Sequence, residues 1–153
     1  MKTKFANKLL LAIVAIASVT IFFMAPIPQD PHYHNFADQR TLCSVNHFWN
    51  VLSNLPFLLV GIYGLWRLRF VSEPSIKLAY SIFCLGVILV CLGSGYYHLA
   101  PDNHTLVWDR LPMTIAFMAF ISIVLHERVL LSAKNYTLIP LLVIGLVSVV
   151  YWD

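Results

Sequence analysis

Charge is the scarcest property of this sequence. Asp, Glu, Lys and Arg together make up 11% of its 153 residues, less than half the ~25% typical of soluble domains. An ordinary water-soluble domain is thereby excluded. A disordered chain is excluded too, because disorder goes with low hydrophobicity. Ten basic residues against seven acidic ones leave a net charge of +3, and they gather into no patch that would hold nucleic acid. Cysteine is also sparse. Cys43, Cys84 and Cys91 are odd in number and lack CxxC spacing, so neither a disulfide framework nor a thiolate zinc site is signalled. Cys84 and Cys91 fall on about the same helical face of an apolar run, the pattern of small packing residues. A P-loop and a Gly-rich dinucleotide turn are missing as well, as is a GxSxG elbow, and nucleotide chemistry has no support.

What fills the chain is apolar: 59% of residues are hydrophobic and the mean hydropathy is +0.77. A bilayer core of ~30 Å takes ~20 apolar residues in a helix. Leu9 to Pro28, Asn46 to Trp66 and Leu78 to Ala100 each contain no charge. Leu111 to Leu125 becomes a full span if Leu106 to Arg110 forms its first turn, and Tyr136 to Trp152 is the last run. The expected fold is therefore all-α, a polytopic transmembrane helix bundle of five spans. Residues 1–28 would be an N-terminal anchor or signal-like helix and 29–153 the main domain. The length of the first run and the lack of a clean A-x-A cleavage site at its end favour an uncleaved anchor.

Basic residues set the orientation. Lys2, Lys4, Lys8, Arg67, Arg69, Lys77, Arg128 and Lys134 fall on one side, and only Arg40 and Arg110 on the other. The N-terminus is then cytoplasmic. The outer side collects Asp30, His32, His34, Asp38, His47, His98, Asp102, His104, Asp109 and Asp153. A bland anchor has no need of ligand-type residues at one face.

The densest stretch runs Gly93-Ser94-Gly95-Tyr96-Tyr97-His98, followed by Trp108-Asp109-Arg110-Leu111-Pro112-Met113. Ser94 and His98 are one helical turn apart and project from one face. Pro101 and Asp102 end that helix, and a tight hairpin returns Asp109 towards His98. Pro112 then fits near the first turn of the fourth span, where a missing amide costs least. Two readings stay open from spacing alone. Ionisable groups at a membrane boundary are expensive and usually functional. The same residues could instead pin a hairpin, with Asp109 as a helix cap.

A second polar stripe, Asn50, Ser53 and Asn54, enters the membrane beside His47, either as interhelical glue or as a site wall. Pro56 should kink that helix below the stripe. His32 and His34 form an H-x-H pair, a weak metal signal. Asp38 and Arg40 are placed to pair within the loop.

At these residues the chain resembles the alkaline ceramidase family, and its bacterial members more closely. The carrying motifs are Tyr33-His34-Asn35-Phe36-Ala37-Asp38, Phe48-Trp49-Asn50-Val51-Leu52-Ser53-Asn54-Leu55, Gly93-Ser94 with Tyr97-His98, and Asp109-Arg110-Leu111-Pro112-Met113. The resemblance implies part of a seven-helix membrane hydrolase fold, with a zinc ion and a water that attacks the amide of ceramide-like membrane lipids. Residue by residue, it implies His98 as a metal ligand, Ser94 as an oxyanion donor and Asp109 as the group that orients or deprotonates water. It also implies a bacterial inner-membrane protein with its site on the outer, periplasmic face.

Two departures follow. The family's other zinc histidines form an H-x-x-x-H pair on a last helix, and no such pair occurs before Asp153. The abrupt ending at Tyr151-Trp152-Asp153 is that expected of a C-terminally truncated chain. His47 stands where the eukaryotic enzymes carry a calcium-site glutamate, so calcium is not expected. The alternative is a non-catalytic membrane fragment or binding protein.

Overall fold

The computed structural model describes residues 9, 12, 13, 15–17, 19–21, 23–25, 27, 29–130 and 136–152. Most of the expected anchor, residues 1–28, therefore lies outside the described residues. Among the described residues the fold is an all-α bundle without strands. A 3-10 turn, Pro31–His34, precedes α1 (Phe48–Leu52) and α2 (Leu55–Arg67). Then come α3 (Pro74–Leu99), α4 (Asn103–Leu125) and α5 (Leu138–Trp152).

Three stretches are long and apolar enough to cross a membrane: Phe48–Phe70, Pro74–Leu99 and Asn103–Leu130. They match the second, third and fourth runs of the sequence. The fifth run forms α5, a shorter apolar helix of 15 residues. The broad exposure of large side chains such as Leu59, Val60, Leu92, Phe117 and Val143 is what a lipid-facing surface requires, since hydrocarbon does not penalise it.

Two expectations about proline are corrected. Pro56 does not kink a continuous helix from below. The break lies just before it, at Ser53–Asn54, and Pro56 sits in the first turn of a new helix, α2, where proline's fixed φ is favourable. Pro112 is not in a first turn either: it lies well inside α4. The helix starts earlier because Asp102 caps it. The Asp102 carboxylate accepts from the Thr105 amide at 2.6 Å, and the Thr105 hydroxyl accepts from the Asp102 amide at 3.1 Å. The Thr105 hydroxyl in turn donates to the Ala100 carbonyl at 2.7 Å. Asp109 is consequently in the second turn of α4 and caps nothing.

Proline at 112 leaves the Trp108 carbonyl without its helical donor. That carbonyl faces Gly93 of α3, where a Cβ would collide with it and would also lie 3.0 Å from the Pro112 ring. One face-repeat away, a Cβ on Gly86 would meet the Ala116 backbone at 2.8 Å. Two glycines two turns apart thus let α3 and α4 approach backbone to backbone, the way membrane helices associate when no hydrophobic effect drives them together. Cys84 and Cys91 are both buried and free, in the packing role their spacing indicated. The innermost cluster, Ala79, Ala119, Ile123 and Leu138, joins α3, α4 and α5 at the opposite end from the polar residues.

Candidate active site

The α3–α4 hairpin brings Ser94, His98 and Asp109 to one end of the bundle. Ser94 is buried, and its hydroxyl faces the Asp109 carboxyl group as its hydrogen-bonding neighbour. Asp109 also interacts electrostatically with His98, one turn above Ser94. The His98 Nδ1 is buried and has no hydrogen-bond partner. Buried polar atoms are nearly always satisfied, and this nitrogen departs from that rule. Arg110 adjoins Asp109 in sequence but turns away: its guanidinium donates to Gln29 at 2.7 Å and stacks 3.7 Å from the Trp152 ring centre.

Ser94 and Asp109 close the upper end of a groove of about 570 Å³. Below them it is lined by Phe57 of α2, by Phe83, Val87 and Val90 of α3, and by Met113, Ala116, Phe117 and Phe120 of α4. The stripe from Ser94 to Phe83 covers three turns, about 16 Å of helix. At the bottom the Phe83 and Phe120 rings lie 6.0 Å apart. The opposite side of the α3–α4 seam holds a second hollow, lined by Leu89, Leu92, Tyr96, Trp108 and Ile115, with neither Ser94 nor Asp109 in it. Of these two hollows, Ser94 and Asp109 line the first.

The polar stripe resolves into local bonds. The Ser53 hydroxyl donates to the Asn50 carbonyl at 2.8 Å, and the Asn54 amide donates to the same carbonyl at 2.9 Å. Together they satisfy the backbone where α1 and α2 part. Neither Asn50, Ser53 nor Asn54 lines the groove.

Residues 30–47 fold over this end of α3. Asp38 clamps the loop: one carboxylate oxygen accepts from Arg40 Nε at 2.6 Å, the other from the Trp49 amide at 3.0 Å. The Arg40 guanidinium, helped by the Trp49 amide, holds the Asp38 carboxyl below the usual carboxylate range. The Thr105 amide and hydroxyl likewise hold Asp102 low. Both nitrogens of His34 are engaged, Nδ1 with the Tyr97 hydroxyl and Nε2 with Asn103 Oδ1, each at 2.9 Å. His34 is a bridge between loop and bundle. His32–His34 is therefore not a free H-x-H pair. His47, read from the sequence only as a departure from a pattern, reaches the end of α3 through a bond spanning 51 residues, which nothing local in the sequence announces.

The ceramidase family model matches residues 40–152. The chain belongs to the ceramidase family. Within that family, a Dictyostelium discoideum protein named "Putative alkaline ceramidase dcd3A" is 24% identical over 99 residues, covering 55% of this chain and 34% of the relative. The chain thus spans about a third of that relative's length. No solved structure matches the chain. Ser94, His98, Asp109 and the whole groove fall inside the part matched to the ceramidase model.

Zinc can be tested against the donor set. The unpaired Nδ1 of His98 suits one zinc ligand, since neutral imidazole is a common one. Among the described residues, no group of three His, Cys, Asp or Glu side chains gathers to complete a metal site. The described residues thus offer a zinc ion a single imidazole.

Proposed function

We propose that this chain carries the Ser94–His98–Asp109 part of a membrane hydrolase site that cleaves the amide of ceramide-like lipids at the outer, periplasmic face of a bacterial inner membrane. The carrying observation is the junction of Ser94 and Asp109 with an apolar groove inside a membrane bundle. A long-chain amide lipid has the matching shape: its chain fills the groove and its amide stops at the polar end.

His98 would hold zinc through Nδ1, in company with ligands from outside the described residues. Zinc supplies a polarised carbonyl and a water of lowered pKa. The remaining work falls to this chain. Asp109 accepts a proton from the attacking water as its oxygen bonds the amide carbon. Ser94 then donates its hydroxyl hydrogen to the carbonyl oxygen as negative charge develops there. As the C–N bond breaks, Asp109 returns the proton to the amine nitrogen. The products are a fatty acid and a free long-chain amine. Below its upper end the groove is lined by apolar side chains, a low-dielectric surround that strengthens each of these polar contacts.

The test is amide hydrolysis by the chain in mixed micelles with a fluorogenic ceramide-like substrate. Asp109→Asn is expected to lower turnover ~10²–10⁴-fold while leaving zinc content unchanged, and His98→Ala to remove both. Retained turnover in His98→Ala would sink the mechanism. A second reading, a non-catalytic membrane segment or lipid-binding protein, is favoured by the lack of a three-ligand group among the described residues. It predicts lipid binding in the groove with no turnover in any variant.

A further inference from the structure

His47 occupies an unusual conformation for an unusual purpose. Its backbone is left-handed, with φ 47° and ψ 44°, and although it stands at the N-cap of α1 its side chain caps nothing there. A non-glycine residue in this region costs ~1–2 kcal/mol, and such strain persists only where the surroundings over-determine it. The ring goes instead to the far end of another helix, where Nδ1 lies 2.9 Å from the His98 carbonyl. That carbonyl is among the last four of α3, which have no partner within their own helix. A carbonyl only accepts, so His47 carries its proton on Nδ1 and keeps a lone pair on Nε2.

The neighbouring Phe36 completes the arrangement. Its ring packs edge-on to His47 at 5.6 Å and against the His98 ring at 4.6 Å between centres. The His98 imidazole has no bond of its own through Nδ1 to fix its angle. Its backbone is held by His47 and its face by Phe36, which His47 in turn backs.

We infer that His47 is a positioning residue for His98, setting the direction in which the unpaired Nδ1 points. The role concerns the ring of His98 itself and does not depend on a metal.

The experiment compares the whole chain in detergent with His47→Phe, which keeps an aromatic ring beside Phe36 and removes the donor, and His47→Asn, which tolerates the left-handed backbone and keeps a side-chain N–H. His98→Ala supplies the assignment. The readouts are the ¹⁵N ring signals of His98 and the melting temperature. The expected result is a displaced or broadened His98 signal in His47→Phe, moved back towards wild type in His47→Asn. A purely structural cap would lower the melting temperature and leave the His98 signal where it is. An unchanged His98 signal in His47→Phe, or a wild-type His47 protonated on Nε2, overturns the inference. Should His47→Phe fail to fold, His47→Asn against His47→Asp makes the same comparison, being alike in size and backbone tolerance but with and without a donor.

Discussion

Gly93 and Gly95 stand two residues apart on α3 and should respond oppositely to the same methyl group. At Gly93 a Cβ would run into the Trp108 carbonyl and lie 3.0 Å from both the Trp108 carbonyl carbon and the Pro112 ring. None of these atoms can rotate aside, because two are backbone and the third belongs to a fixed ring. The helices must part, which costs ~1–3 kcal/mol for overpacking of this kind. At Gly95 a Cβ would meet nothing within 4 Å, and Gly→Ala in a helix then stabilises by ~0.5–1 kcal/mol. The two variants should differ by roughly 2–4 kcal/mol, or on the order of 5–15 °C in melting temperature for a chain of this size. The chain carries its own reporters, since Cys84 and Cys91 are buried free thiols while Cys43 is exposed. A thiol-reactive fluorogenic dye in micelles will label Cys43 at once and the other two only on unfolding. If Gly93→Ala melts with or above Gly95→Ala, the backbone approach at Trp108 is not what holds this hairpin.

Asp38 and Asp102 are both held low in pKa in the folded chain, so their contribution is complete above the ordinary carboxylate value of about 4. It is lost as pH falls through their lowered folded values. Protease cutting of the 30–47 loop should rise below that pH in wild type, and should be raised at neutral pH in Asp38→Asn, with the two converging in strong acid. Asp102→Ala removes the carboxylate half of the cap on α4 and keeps the backbone amide that donates to Thr105, and its melting temperature should drop at neutral pH but converge on wild type in strong acid. Ser94→Ala should lower turnover by ~10²-fold or more, as loss of an oxyanion donor does, with little change in KM. Phe120→Ala opens the bottom of the groove, and the preferred acyl chain should lengthen relative to wild type in a chain-length series.

The bundle was legible because spans announce themselves by unbroken apolar runs, and three of them coincide with helices of spanning length. The meeting of Ser94, His98 and Asp109 was legible for a different reason: one turn of spacing on α3 and a very short link to α4 leave little freedom. The position of Asp109 within α4 was misjudged because its cap pairs Asp102 with Thr105, where a glutamate or glutamine is the usual reciprocal partner. Of the loop, the Asp38–Arg40 pair was legible and the rest was not. Cys43, Ser44 and His47 adopt positive φ without being glycine, and its anchoring bonds to Tyr97, Asn103 and His98 cross 51 to 69 residues. Such contacts depend on tertiary geometry that no local pattern encodes.

The seam between α3 and α4 has a consequence for how any lipid assay must be run. Ser94 and Asp109 line a groove within a membrane bundle, so on the proposed reading a lipid approaches them by diffusing in the plane of the bilayer rather than from bulk water. Its encounter rate then follows its mole fraction in the membrane or micelle. Diluting substrate with inert detergent at constant total substrate should slow turnover as an inhibitor would, though nothing competes for the site. A Michaelis constant for the proposed hydrolysis would carry meaning only in units of surface concentration.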